Sequence, residues 1–346
     1  MKLGLDTGYS GARMALPIQT ILRAEELGFD SIWASESYGS DAISPLAYVA
    51  ALTKSIRLGT GVAQLAARTP ANLAMTAQTL DALAGQGRMI VGLGVSGPQI
   101  VEGWYGQPWG KPNARIRDYV AIMRKIWRRE GPVSHDGPEI ALPYRGAGAT
   151  GLGKPLKSIL HGNPDIPIVL GASKPANIRL SGEIADGWLA MHVTPASLAR
   201  HMANLAEGMA RRTDGKTLKD FEIITNVGLV ITDDVKAALD KARPVTALYV
   251  GGMGAAGVNF HKDAMVDRGF AAEAERIQEL FLAGRKEEAA AAVPDEFLDE
   301  GGLIGPPARI RRRFQRWCDA GFTTLRFTAP ADEAMVLMSE LVRSTS

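Results

Sequence analysis

Along the chain, stretches with apolar residues every three or four positions alternate with short runs that are apolar throughout. In ANLAMTAQTLDALAG, Leu73, Thr76, Ala77, Leu80 and Leu83 fall on one side of a predicted helix, and Pro70 suits its first turn. In ARIRDYVAIMRKIWRR, Ile116, Val120, Met123 and Trp127 form a stripe, with the arginines and Lys125 toward water. Ile310, Phe314 and Trp317 make the inner stripe of ARIRRRFQRW, so its arginine cluster reads as a solvated face rather than a nucleic-acid patch. The runs between helices, such as Met89-Ile90-Val91 and Ile166-Pro167-Ile168-Val169-Leu170, suit parallel strands covered on both faces. Glycine separates helix from strand in AEELGFDSIWA (24–34), ALAGQGRMIVGLG (82–94), EIADGWLAM (183–191) and DAGFTTLRF (319–327). A glycine just past a helix supplies the left-handed residue that ends it.

This rhythm predicts eight strands, at 3–7, 31–35, 56–61, 89–94, 166–171, 187–192, 222–231 and 323–328. Eight strands, each followed by a helix, close a parallel barrel, although a doubly wound sheet has the same local pattern. With no domain-like linker, the expected fold is α/β, a single (β/α)8 TIM barrel over residues 1–346 with insertions at about 130–165 and 252–305. The first insertion holds the loop-like GAGATGLGKP and the second an Ala/Glu-rich helical stretch.

Composition narrows the function by exclusion. The 346 residues are 46% apolar and 22% charged, as in ordinary soluble proteins. A formal charge of +2 offers no reason to expect nucleic acid or an anionic membrane as a partner. Cys318 is the only cysteine, which rules out an intrachain disulfide and thiolate metal clusters. The start, MKLGLDTGYSG, lacks a signal-peptide core, and no apolar run is long enough to span a bilayer, so a cytoplasmic address is expected. H-E-x-x-H and C-x-x-C are missing, so no metal is expected; G-x-S-x-G and the P-loop are missing too.

Gly92-Leu93-Gly94-Val95-Ser96-Gly97 fits G-x-G-x-x-G, but so does Gly252 to Gly257. A dinucleotide turn follows the first strand of its unit and opens a long helix at its third glycine. Here the strand is the fourth and PQIVEGWYGQPWGKP follows, so the Rossmann reading fails on context. In a barrel, the same loop lies at the carboxyl face, where active sites are built. LGTGVAQLAARTP after strand three and LGASKPAN after strand five are loops of the same kind. In the latter, a helix N-terminus and Lys174 are suited to phosphate. Three such loops on one face point to a phosphorylated planar cofactor.

GFDSIWASE, RLGTGVAQLAARTP, GRMIVGLGVSGPQ, IVLGASKP and EIADGWL, in that order, resemble the luciferase-like monooxygenase superfamily. They are most similar to its branch of coenzyme F420-dependent oxidoreductases, methylenetetrahydromethanopterin reductase among them. The resemblance implies a deazaflavin over the carboxyl ends of the strands, with FMN as the alternative cofactor. It implies a non-prolyl cis peptide at Gly61-Val62, with Val62, Ala63 and Gln64 lining the ring. Ser96 and Gly97 match the loop at the pyrimidine edge, and Gly171, Ala172 and Ser173 match the phosphate loop, with Met191 and His192 beyond the next strand. Ser35 and Glu36 stand where several F420 enzymes carry Asp-His, and Pro98 stands where dehydrogenase-like members carry glutamate. Sugar phosphate oxidation therefore recedes in favour of a reductase with its own acid. The resemblance also implies a homodimer formed through barrel helices.

A small organic substrate stacked on a reduced deazaflavin needs a proton source within hydrogen-bond reach. Glu36 is the first candidate, as a carboxyl pushed toward neutrality by burial, with an exposed or salt-bridged loop carboxylate as the equal alternative. His192 is the second, and Asp6, at the end of strand one, is a further candidate of the site. His135, His161, His201 and His261 read as surface or structural. Glu102, Trp104 and Tyr105 either close over the substrate or pack the loop. Two alternatives stay open: an FMN-dependent two-component monooxygenase, and a cofactor-binding barrel without turnover.

Overall fold

The computed structural model describes residues 1–8, 10–253 and 259–345. Eight parallel strands form a closed barrel: β1 (Lys2–Asp6), β2 (Ser31–Ala34), β3 (Arg57–Thr60), β4 (Met89–Gly94), β5 (Ile168–Gly171), β6 (Gly187–Leu189), β7 (Glu222–Asn226) and β8 (Thr324–Thr328). Each pairs with its neighbour in sequence, β8 pairs with β1, and the pairing of β3 with β4 completes the ring. The covering helices are α1 (Ile18–Glu26), α2 (Ile43–Leu52), α3 (Pro70–Ala84), α4 (Pro112–Arg128), α5 (Pro175–Ile184), α6 (Pro195–Met209), α7 (Pro307–Ala320) and α8 (Asp332–Thr345). Among the described residues, no helix is long and apolar enough to cross a membrane.

Strand alternation sorts the residues into two cores. Leu3, Leu5, Ile32, Leu58, Val91, Leu170, Leu325 and Phe327 pack outward with Ile21, Leu73, Met123 and Phe314 of the helices. Trp33, Ile90, Val169, Leu189 and Ile224 form a separate inner plug. The indole of Trp33 is fully buried, and its Nε1 donates to Ser31 Oγ at 3.0 Å. It fits only because β3 concedes space: a Cβ on Gly59 would stand 2.4 Å from the Trp33 ring.

The helices depart from the simple stripe at informative places. Leu83 of α3 is 81% exposed, while Gln78 and Asp81 take inner positions. Asp81 accepts from the amides of Gly87 (3.0 Å) and Met89 (2.8 Å), so its carboxylate sets the turn into β4. Gly28 and Gly321 end α1 and α7 at φ +82° and +102°, as the helix-end pattern implies. Gly187, by contrast, lies inside β6, where a Cβ would crowd Glu222 O and Val169 Cγ1, each at 2.8 Å.

The strand expected over 222–231 is two strands. Residues 222–226 stay in the barrel, while Gly228–Ile231 leaves it to pair in parallel with Gly302–Gly305. Between these two strands lies the helical segment, which starts at Val235 rather than near 252. Its helices are Val235–Gly252, Phe260–Asp267, Ala271–Leu282, Lys286–Ala291 and Asp295–Glu300. They share a small core that includes Val250, Met265, Ile277, Leu280 and Phe297. Part of the expected solvated arginine face of α7 holds this segment: Arg309 (2.8 Å) and Arg313 (3.1 Å) pair with Asp299. The second G-x-G-x-x-G falls at residues 254–257 outside the described residues. In the stretch 130–165, His135–Asp136 and Ala141–Leu142 form an antiparallel pair. Asp118 of α4 holds it by accepting from the amides of Glu139 (2.8 Å) and Ile140 (2.9 Å).

Gly59→Ala tests the inner packing. Overfilling a well-packed core costs about 1–3 kcal/mol, so the urea midpoint is expected to fall with an unchanged slope. An unchanged midpoint would refute the account of Trp33.

Candidate active site

At the carboxyl rim, β3 ends where Thr60 Oγ1 bridges to both the carbonyl and the amide of Gly92, each at 2.8 Å. Gly61 donates its amide to Ala34 O at 2.8 Å, and the Gly61–Val62 bond is cis. The chain rejoins the barrel when Ala63 and Gln64 pair with Leu93 and Gly94. Val62 is thereby turned over the inner plug, against which it packs. Glycines at the ends of β4 and β5 make room for it. A Cβ on Gly94 would lie 2.4 Å from Val62 Cγ2, and one on Gly171 would lie 3.2 Å from Cγ1. The result is a ledge of one valine side chain flanked by bare backbone. Ala63 is fully buried in the helix-side core and Gln64 is also buried, so of the three bulge residues only Val62 keeps an open face.

Glu36 takes the salt-bridged of its two expected places. Its carboxylate is buried beneath the bulge and accepts from Gln64 N (2.8 Å), Ala42 N (3.4 Å) and Arg68 Nη1, which lies 2.7 and 2.9 Å from its two oxygens. Gln64 Nε2 returns a bond to Glu36 O at 3.0 Å, and Ser35 Oγ donates to Gly61 O at 3.2 Å. Every partner of the Glu36 carboxylate is an N–H donor. The group is engaged as an anchor of the bulge, and Arg68, which sequence reasoning passed over, is its counter-charge.

The remaining rim loops carry the other expected residues. Ser96 has φ +59°, and Gly97 stands before the short helix Pro98–Val101. Tyr105 Oη reaches Ser37 O at 3.5 Å, whereas Trp104 is exposed. Gly171, Ala172 and Ser173 lead into the N-terminus of α5, and Ala172 O accepts from Trp188 Nε1 at 2.8 Å. Lys174 is paired with Asp263 of the helical segment.

Met191 is 40% exposed beyond β6. The next residue, His192, has φ +60°, and its Nε2 lies 2.8 Å from His261 Nδ1. Tyr249 packs on His261 with ring centroids 4.6 Å apart. His261 thus belongs to the rim, contrary to its reading as a surface or structural residue. His192 keeps an open face at the rim. Burial, then the neighbouring His261 and Arg268, lower its pKa from 6.5 to about 3, and burial lowers that of His261 to about 4. Burial, with Tyr38 and Asp6 adding to it, raises that of the Tyr249 phenol.

Asp6 lies on the barrel's own floor, buried at the end of β1. It accepts from Gly8 N (2.9 Å) and Asn226 Nδ2 (3.1 Å) and pairs with Arg326 of β8. Arg326 is another residue missed from the sequence; the one signal was a lone charge inside the apolar strand TLRFT.

Because both imidazoles are held neutral in the fold, the unfolded chain binds more protons below the ordinary histidine value of about 6.5. Stability is therefore expected to fall as pH drops from about 6.5 toward 4. His192→Gln should flatten that slope in denaturant titrations across pH; an unchanged slope would refute the assignment.

Comparison with known proteins accords with this architecture. The family model described as luciferase-like monooxygenase matches residues 4–324. A Mycobacterium tuberculosis protein, provisionally named a coenzyme F420-dependent oxidoreductase, is 46% identical over 99% of each chain. The 5,10-methylenetetrahydromethanopterin reductase of Archaeoglobus fulgidus is 28% identical over 89% of this chain and 87% of its own. The structure of the coenzyme F420-dependent tetrahydromethanopterin reductase of Methanopyrus kandleri superposes with a TM-score of 0.78 at 22% identity, covering 99% of each chain. With most of its length matched by the family model, and a barrel of the same shape, the chain belongs to the luciferase-like monooxygenase family.

Proposed function

We propose that the protein is a coenzyme F420-dependent oxidoreductase acting on a small organic substrate. The observation that carries this reading is the ledge at Val62. A flat ring system packs on a small apolar surface, and the Val62 side chain flanked by Gly94 and Gly171 is such a surface at the rim where barrel enzymes work. The names of the relatives above favour a deazaflavin as the occupant. When bound, that cofactor supplies reversible hydride transfer.

The chain's residues then have separable tasks. Val62 supports the ring, and Ser96 and Gly97 face its polar edge. Gly171, Ala172 and Ser173, at the N-terminus of α5, offer amides to phosphate. Glu36, saturated by N–H donors, holds the bulge instead of giving up a proton. Proton handling passes to His192 and His261. In either tautomer, one shared proton between Nε2 and Nδ1 leaves a donor at one end of the pair and an acceptor at the other. A neutral pair can thus take up a proton at one end and release one at the other.

Titrating the protein with F420 and with FMN tests the reading. F420 is expected to bind, and Gly94→Ala, which pushes a methyl into Val62, should weaken it at least tenfold, or about 1.4 kcal/mol. Binding of FMN alone would instead favour an oxygen-using flavin enzyme, and F420 binding without hydride exchange over a broad acceptor panel would favour a carrier barrel.

The adjacent helices α2 and α3 leave Tyr48, Leu52, Met75 and Leu83 exposed, an apolar face suited to a two-fold dimer. Sedimentation should show twice the 36.9 kDa chain mass. A monomer at high concentration would exclude this association.

A further inference from the structure

Arg326 has no task in the scheme above, and its setting is unusual. It points into the barrel from the middle of β8 and is 4% exposed. Its stem crosses β1, where a Cβ on Gly4 would lie 3.0 Å from Arg326 Cγ. Its guanidinium lies 4.7 Å from the centre of a Trp33 ring, in the cation–π range. The same group reaches the cis bulge: a Cβ on Gly61 would lie 2.8 Å from Nη2 and 3.0 Å from Nη1. Nη2 pairs with Asp6, but Nε is buried without a partner. No acceptor for Nη1 is found among the described residues. Other cations near the mouth are matched: Arg68 with Glu36, Lys174 with Asp263 and Arg268 with Glu300.

A buried guanidinium N–H without an acceptor is costly. The same guanidinium stands against the bulge through Nη1 and Nη2, where an occupant of the ledge would meet its charge. Asp6 engages Nη2 alone, which leaves Nε and Nη1 without an acceptor among the described residues.

We propose that Arg326 is a positioning residue that props the Gly61–Val62 bulge from within the barrel and presents its positive charge to the underside of the ring, favouring the ring's anionic form. The inference rests on the F420 reading, since the deazaflavin ring carries an acidic hydroxyl whose ionisation spreads negative charge over the ring. Asp6 moderates the effect from the other side of the guanidinium. Among the described residues, Tyr38, Tyr105, Tyr249 and the neutral pair His192–His261 are further ionisable groups of the rim, and none of them supplies a cation.

The test is a pH titration of the visible absorption of oxidised F420 bound to the full-length protein, with Kd measured in parallel. In the wild type, the ring hydroxyl should ionise at lower pH than in free F420. Arg326→Gln should weaken that acid at least tenfold, Asp6→Asn should strengthen it, and Arg326→Lys should stay near the wild type. A structural disturbance alone has no reason to move the two charge-removing variants in opposite directions. Shifts of the same sign, or F420 bound with its ionisation unchanged from free cofactor, would overturn the proposal and leave the F420 reading intact. Should a variant not fold, the comparison of wild-type-bound with free cofactor still decides. Failure of the wild type to bind F420 at all would overturn both.

Discussion

The scarce quantity in this barrel is interior volume. Eight short strands enclose little more than one layer of side chains, and here an indole takes the largest share. Trp33 is accommodated by the missing side chain of Gly59, and Val62 by those of Gly94 and Gly171. The ledge is therefore a by-product of how the plug beneath it is filled. Large residues come from β2, β4, β5, β6 and β7, and glycines on β3 and at the ends of β4 and β5 yield to them. A methyl group at a yielding position would be felt as backbone movement at the rim, because packed interiors transmit strain.

Much of this was legible beforehand, for definite reasons. Parallel strands covered on both faces are written as mostly apolar runs, and with the glycines that separate them from helices they marked all eight barrel strands. The rim loops followed from the strand count, since a barrel fixes which end of each strand carries chemistry. What stayed hidden depends on departures from periodicity. Leu83 has the right spacing for the core but is displaced because Gln78 and Asp81 take the inner face for hydrogen bonding. The run 222–231 divides at Asn226-Val227-Gly228, a polar residue and a glycine that a single-strand reading absorbed. His261 stands 69 residues from His192, and no local pattern tells where the helical segment returns.

Glu36 shows how burial can mislead. A carboxyl at a barrel mouth invites the reading of a catalytic acid. Here Arg68, Gln64 N and Ala42 N all donate to it. The carboxylate ties β2 to the bulge, and charge at this corner serves geometry. On the opposite side of the mouth the balance is reversed, since among the described residues the two imidazoles hydrogen-bond only to each other.

The two halves of that imidazole pair belong to different bodies of the chain: His192 follows β6, while His261 sits on the helix Phe260–Asp267. Lys174 and Asp263 make a second bond across the same seam. Any hinge-like opening that admits a ligand along this seam must part both contacts at once. The relay would then exist only while the door is shut, and the timing of proton delivery would be built into the act of enclosure.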